Sequence, residues 1–425
     1  MNLIEELSWR GMIRDIMPGT EKQLKKEITT GYIGFDPTSD SLHIGSLVPI
    51  LLLLHLQRAG HKPIALLGGA TGMVGDPSGK NQERNLLNEE TLQKNLEGVK
   101  NQLKKFLDFD SGKATAAELV NNYSWFKEIN LLEFIRDVGK HITVNYMMSK
   151  DSVRKRLESE SGISFTEFTY QLIQGYDFYW LYQNKNCKLQ MGGSDQWGNI
   201  TTGSELIRRK TGNEAFAFTC PLITKTDGGK FGKTEAGNIW LDEEKTSPYY
   251  FYQFWLNAAD TDAEKWIKIF TFLEKDEIDR LIRDHKSDPG HRILQKKLAE
   301  EITVFVHGKE KYKKAIETTE KFFSKDNSPI DSLTPKDLEE IEGIIKIDIA
   351  KAQLDAGIDV INFLANTQIL PSKSEAKKMV QNGGISINRN KVENLQFTVN
   401  SSLLLHEAYL LIQKGKKNYY LVKAI

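Results

Sequence analysis

The sequence predicts an α/β protein: a parallel sheet wrapped by helices, then a helical region, then a small α/β module. Three observations carry that expectation. Short β-rich runs alternate with helix-length apolar stretches through the first half, the pattern of parallel-sheet units. Helical periodicity dominates from Pro248 to about Phe323. The chain then closes on a charge asymmetry: positions 331–350 hold six acidic and two basic residues, whereas 371–425 hold nine Lys/Arg and three Asp/Glu.

In chain order, Ile28 to Phe35 is β-rich and runs into Asp36-Pro37-Thr38, a turn signature. Leu47 to Ala59 has the length and leucine content of a buried helix stopped by Gly60. Lys62 to Leu67 is a short apolar strand feeding Gly68-Gly69. Trp125–Val138 and Phe165–Gln183 read as helices, and Cys187–Met191 as a strand before Gly192-Gly193. The segment 325–329 breaks the helical region. The expected domains are therefore 1–247, a sheet domain; 248–325, helical; 326–350, a charged linker; and 351–425, a small module.

Composition narrows the class. A chain of 425 residues is too long for one domain at roughly 150 residues each. Its 57 Lys+Arg cancel 57 Asp+Glu, and 40% hydrophobic content suits globular domains rather than disorder. The longest apolar run, Leu47 to Leu56, contains Pro49 and His55 and is far shorter than the roughly 20 residues of a membrane helix. The opening fifteen residues mix Glu5, Glu6, Arg10 and Arg14, unlike a secretory or transit signal. The two cysteines, Cys187 and Cys220, form no CxxC pair, which excludes a disulfide framework or a cysteine zinc site as the organising principle. A reduced, cytoplasmic protein is expected. Zero net charge leaves nucleic acid open, because the basic tail concentrates charge locally.

Five segments could carry chemistry. Gly68 to Lys80 is Gly-rich, but Val74 and Asn81 break the P-loop spacing. Thr38 to Ser46, with His43 and Gly45, opens the Leu47 helix, where backbone N–H groups favour an anion. Lys230-Phe231-Gly232-Lys233-Thr234 carries two lysines that could reach phosphate charge. Tyr170, Gln174 and Asp177 stand at i, i+4 and i+7 on one helix face, opposite apolar Phe165, Phe168, Leu172, Tyr176 and Tyr179. Asp195-Gln196-Trp197 follows a strand end. Each alone also reads as ordinary structure: a Gly turn, a capped helix, a basic loop, a surface helix.

Their order and spacing together closely resemble bacterial tyrosyl-tRNA synthetases. The matching blocks are Gly34 to Thr38 with Ser41 to Gly45, Gly68 to Asp76, Gly162 to Phe168 with Gly175 to Phe178, Gly192 to Asn199, and Lys230 to Thr234. The likeness runs to 414–420 and spans essentially the whole chain. It implies a Rossmann-like catalytic domain with an insertion at about 118–165, a helical domain for the anticodon stem, and a C-terminal RNA-binding module.

The resemblance implies tyrosine activation by ATP, release of pyrophosphate, and transfer of tyrosine to tRNA. By similarity, Tyr32 and Asp177 grip the phenol; a hydroxyl that donates and accepts suits that pair. Leaving such groups unpaired rejects phenylalanine, for which tyrosine-activating enzymes are themselves the standard illustration. Asp76, Tyr170 and Gln174 would hold the ammonium, Gln196 the carboxyl group, and Asn122 would line the pocket. Gly34, Asp36, Thr38, His43 and Gly45 form the first class I signature, closed here by Ser46 where relatives carry His or Asn, so weaker nucleotide binding is expected. Gly193 and Asp195 would meet the adenosine. Lys230, Lys233 and Thr234, with Lys80 and Arg84, would stabilise the leaving pyrophosphate. No protein metal site is implied; magnesium would ride on the ATP phosphates.

In the tail, the helix of 371–380, with Lys373, Lys377 and Lys378, and the hairpin of 383–392, with Arg389 and Lys391, resemble a small RNA-binding module. Implied partners are L-tyrosine, ATP and tRNA(Tyr), with no membrane and no DNA, and a second copy of the chain. That homodimer would form through the insertion, where Leu132, Phe134, Ile135, Val138, Met147, Met148 and Phe165 could build the surface or equally serve the core. The rival within the class is a tryptophan enzyme, opposed by Asp177 with Tyr32, since an indole N–H only donates. A non-catalytic RNA scaffold is opposed by the intact signatures, and a plain nucleotide-binding protein by the tail.

Overall fold

A computed structural model describes residues 2–76, 78, 87–158, 162–226, 228–229, 231–234, 237–323, 335, 338, 344–415 and 418–425. It divides into two compact units: Met1–Thr246 with Phe254–Ile302, and Ser247–Gln253 with Thr303–Ile425.

The first unit is built on a six-stranded sheet: β1 (Asp15–Ile16), β2 (Thr30–Phe35), β3 (Lys62–Leu67), β4 (Glu118–Asn121), β5 (Cys187–Gly193) and β6 (Phe216–Cys220). Spatial order is β1-β6-β5-β2-β3-β4, with only β1 antiparallel to its neighbour. From β2 the chain builds outward through β3 and β4, then returns to the other side for β5 and β6. That reversal places a crevice beyond the C-terminal ends of β2 and β5, where open parallel sheets take ligands.

Both faces of the sheet are covered, so β3 reads as a continuous apolar run rather than an alternating one. The Leu47–Arg58 helix supplies one cover, with Leu47, Val48, Ile50, Leu51, Leu52, Leu53 and Leu56 all buried. On the other face the Phe165–Lys185 helix starts at a capping box, Ser164 accepting from the Glu167 N–H while Glu167 reaches back, and ends at Asn186 in the left-handed region (φ 49°). Its Phe178 and Leu181 pack with Tyr32, Ile64, Leu66 and Trp125 into the core beneath the crevice.

The expected Trp125–Val138 helix is instead two short helices, Tyr123–Phe126 and Leu131–Asp137. Asn130 is the cause: its side chain accepts from the Glu133 N–H at 3.0 Å, starting a new helix rather than continuing the old one.

The helical segment does not form a unit by itself. Its residues are shared: Phe254–Ile302 group with the sheet, whereas Ser247–Gln253 and the helical residues from Thr303 on group with the C-terminal module. Arg10 accounts for the first association: its guanidinium donates to the carbonyls of Lys268, Thr271 and Leu273 at 2.8, 2.8 and 2.9 Å, closing the end of the Asp260–Phe270 helix.

The second unit carries a five-stranded sheet, Asn390–Lys391, Ile385–Ile387, Tyr409–Lys414, Asn418–Ala424 and Ile345–Ile349 in spatial order. Ile345–Ile349 was expected within the linker; it pairs parallel with the last strand, and its Ile349 joins the module's core. Apart from 335, 338 and 344–350, the expected linker lies outside the described residues. Among the described residues no helix is long and apolar enough to cross a membrane.

Candidate active site

The crevice beyond β2 and β5 collects polar side chains that the apolar core forces into contact with one another. Tyr32, inside β2, is 1% exposed, and its hydroxyl has no hydrogen-bond partner among the described residues. Burial, then the nearby Asp177 carboxyl, pushes its pKa well up, so it stays a protonated donor. Asp177, fully inside on the Phe165–Lys185 helix, accepts from Asn122 Nδ2 at 3.1 Å and from Trp125 Nε1 at 2.9 Å. Burial raises its pKa to about 8 despite those two donors. Trp125 is fixed in turn by stacking on Trp180, ring centroids 4.2 Å apart.

Asn122 is the hub of this floor. Its Oδ1 accepts from the Ala70 N–H at 2.7 Å, and its Nδ2 reaches both Asp177 and Thr71 Oγ1. Thr71 then donates to Asp36 Oδ1 at 2.7 Å, and the Tyr170 hydroxyl donates to Asp36 Oδ2 at 2.7 Å. A Cβ on Gly68 would lie 2.1 Å from Asp36 Oδ1, so only glycine lets the β3 turn close on β2. The first signature and the polar helix face are thus one connected network. Tyr170, expected at the ammonium, spends its hydroxyl on Asp36, and burial raises its pKa well above the usual value.

A second network forms the opposite wall. Asp76 is buried; its carboxylate accepts from the Ser78 N–H at 2.9 Å and from Gln196 Nε2 at 2.7 Å. Asn199 Nδ2 donates to Gln174 Oε1 at 3.0 Å and also lies within reach of Gln196, Ser78 and Asp76. Asp195, in the turn after β5, is raised in pKa by burial and accepts from Gln196 Nε2 at 3.4 Å.

The helix-start signature lies alongside. His43 Nδ1 accepts from the Gly45 N–H at 3.0 Å, while the ring meets Trp240 edge-on at 6.2 Å between centroids. Gly34 and Thr38 are exposed, and Ser46 precedes the Leu47 helix without a side-chain cap. Lys80, Arg84 and Lys230 lie outside the described residues; of Lys233 and Thr234 the backbone is described, as a two-residue strand paired with Gly237–Asn238. Of the RNA-binding candidates, Lys373, Lys377 and Lys378 are exposed on the Lys373–Gln381 helix, Arg389 sits at φ 67° in the hairpin turn, and Lys391 pairs with Glu393 at 2.9 Å.

Four participants escaped sequence reasoning: Thr71, Trp125, Gln190 and Asn199. Gln190 stands beside Tyr32 in the β2–β5 register, is 2% exposed, and its Oε1 has no partner among the described residues. A glutamine inside an apolar strand was the available signal. Among the described residues no group of three or more His, Cys, Asp or Glu is arranged to hold a metal.

Taken together, the pocket has a floor with a hydroxyl donor and a carboxyl acceptor, a wall with a buried carboxylate and amides, and a mouth at a helix start. Such a set can recognise a phenol at one end and an ammonium and carboxylate at the other.

Comparison with known proteins agrees with that chemistry. Residues 24–324 match the family described as tRNA synthetases class I (W and Y), and residues 340–422 match the tyrosine–tRNA ligase C-terminal domain. The chain is 58% identical over 431 residues, 100% of each chain, to a tyrosine–tRNA ligase of Bacteroides thetaiotaomicron. It is 59% identical over 429 residues, 99% of each chain, to that of Porphyromonas gingivalis. Among solved structures it resembles a C-terminally truncated mitochondrial tyrosyl-tRNA synthetase of Aspergillus nidulans, with TM-score 0.67 and 31% identity over 76% of this chain and 94% of that one.

Proposed function

The chain belongs to the class I tRNA synthetases of the tryptophan and tyrosine group, and on that premise we propose that it is a tyrosine–tRNA ligase acting through the crevice between β2 and β5. The observation that carries the choice of amino acid is the buried pair at the pocket floor. Tyr32 offers an unspent hydroxyl, and Asp177 a carboxyl held by Asn122 and Trp125. A phenol satisfies both; an indole N–H can only donate, and phenylalanine satisfies neither.

In this reading Asp76 and Gln174 receive the ammonium of tyrosine, with Tyr170 closing the site from its hold on Asp36, and Gln196 stands near the carboxyl group. ATP lies along Gly34, Asp36, Thr38, His43, Gly45 and Ser46, its adenosine toward Gly193 and Asp195. The tyrosine carboxylate oxygen attacks the α-phosphorus in line; the new O–P bond forms as the bond to pyrophosphate breaks. The terminal ribose hydroxyl of tRNA(Tyr) then attacks the adenylate carbonyl, and AMP leaves. No side-chain nucleophile is needed, so the protein's work is positioning and charge stabilisation. Thr38, His43, Lys80, Arg84, Lys230, Lys233 and Thr234 would face the phosphates, with magnesium arriving on them.

Lys373, Lys377, Lys378, Arg389 and Lys391 are the proposed RNA contacts of the C-terminal module. The proposed homodimer is supported by apolar side chains left in water on the insertion, with Leu132 77% and Phe165 78% exposed alongside Ile135 and Met148, whereas Val138 and Met147 are core. A cytoplasmic setting follows for a reaction on tRNA. The test is transfer of labelled tyrosine, phenylalanine and tryptophan to total tRNA: tyrosine alone should be transferred, and transfer of tryptophan instead would overturn the reading.

A further inference from the structure

Two residues before Lys233, Thr226 and Phe231, are fastened to one helix, Asp260–Phe270. Phe231, directly after Lys230, inserts into four aromatic rings. It stacks on Phe270 (centroids 5.2 Å, planes 15° apart) and meets Trp266 edge-on at 5.0 Å, with Trp255 at 5.9 Å and Phe254 at 6.0 Å. Five residues earlier, Thr226 is tied to the same helix near its start. Its N–H donates to Asp262 Oδ1 at 3.0 Å, its hydroxyl donates to the same oxygen, and that hydroxyl lies 3.0 Å from Thr261 Oγ1. Asp262 is itself buried.

The other side of the loop rests on the first signature. Gly232 has φ +79°, and a Cβ there would meet Ile44 Cγ1 at 2.9 Å. Its carbonyl accepts from the Ile239 N–H at 3.0 Å, and the Ile239 carbonyl accepts from the Ile44 N–H at 2.9 Å. The helix serving as platform is held from behind by the three Arg10 hydrogen bonds to its final carbonyls and the residues just after. Lysine side chains are long and rotamer-rich, so a lysine aims only as well as its backbone is fixed. Here the fixing comes from an aromatic plug and a threonine staple.

We propose that Phe231 is a positioning residue for pyrophosphate departure, and that the Asp260–Phe270 helix is the platform that registers the lysine loop against His43 and Gly45. This rests on the function proposed above. Phe231 acts through the backbone it shares with Gly232 and Lys233. Tyrosine, held on the far side by Asp177 and Asp76, should not sense it.

The experiment compares wild type, Phe231→Ala, Phe231→Met and Thr226→Val in two readouts: equilibrium binding of tyrosine without ATP, and single-turnover formation of tyrosyl-adenylate. Phe231→Ala should bind tyrosine as wild type does yet form adenylate about 10²-fold more slowly, the cost of a small misplacement of charged groups. Phe231→Met, which refills the box, should recover most of that rate. Thr226→Val, exposed and outside the box, should lower the rate less, again without touching tyrosine binding. It also decides the matter should Phe231→Ala fail to fold, because a wild-type rate in Thr226→Val then contradicts the proposal. Wild-type rates in Phe231→Ala, or equal losses of binding and rate, overturn it as well. A wild type that forms no adenylate would instead be a failure of the proposed function.

Discussion

Asp177 is where burial and recognition meet in a single titratable group. Its carboxyl is raised to about 8 by burial, so at neutral pH the free protein holds it mostly protonated. A phenol donating into it favours the ionised form, and tyrosine binding near pH 7 should therefore release a proton. Calorimetry in buffers of different ionisation enthalpy measures that release; Asp177→Asn should show none, and proton-neutral binding by wild type would contradict the assignment. The same shift bears on folding. An acid with a raised folded pKa adds stability that is present at low pH and is lost as pH climbs from about 4 toward 8. Urea midpoints at pH 5 and pH 8 should differ less in Asp177→Asn. Ser46 gives a second test: Ser46→His should lower the KM for ATP while leaving that for tyrosine alone. Tyr170, Gln174 and Asp177 were legible because a 3.6-residue period puts them on one face. Trp125, Gln190 and Asn199 were not, since a lone polar group in an apolar run declares itself only once packing has left it no water.

The networks are held by elements rather than by single bonds. Asn122 ties the β3 turn, through Ala70 and Thr71, to the Asp177 helix, so its loss leaves several buried groups unsatisfied at once. Asn122→Ala should lower stability by about 1–3 kcal/mol in urea unfolding and weaken tyrosine binding together. A drop in binding without a drop in stability would mean that Asn122 is not the brace described here. Strands β2 and β3 and the Leu47 and Phe165 helices were visible in the sequence because apolar length and caps specify them locally. The break at Asn130 followed from a cap that competes with an apparent helical period. The Ile345–Ile349 strand was hidden because it needs a partner some 75 residues away, Tyr420–Ala424, to exist.

At the scale of the molecule, the proposed activation site and the proposed RNA contacts fall on different sequence segments, matched by separate family models over 24–324 and 340–422. Reversing charge at Lys373, Lys377 and Lys378 should raise the KM for tRNA and flatten its dependence on salt, by about 0.7–0.9 log unit per lost phosphate contact. Adenylate formation should not change. Replacing Leu132 and Phe165 by Arg should shift the chain toward monomer in sedimentation; an unchanged mass would remove the insertion from the proposed interface. The alternation of strand and helix made the class of the first unit legible. The grouping of the helices did not follow, because it depends on Arg10 and Phe231, two side chains far in sequence from the helix they grip. The most direct measurement is ATP–pyrophosphate exchange with tyrosine, phenylalanine and tryptophan in turn, for wild type and Asp177→Asn. Exchange supported by tyrosine alone, and impaired by the substitution, is the predicted result; exchange with none of the three in a folded, tRNA-binding protein would contradict it.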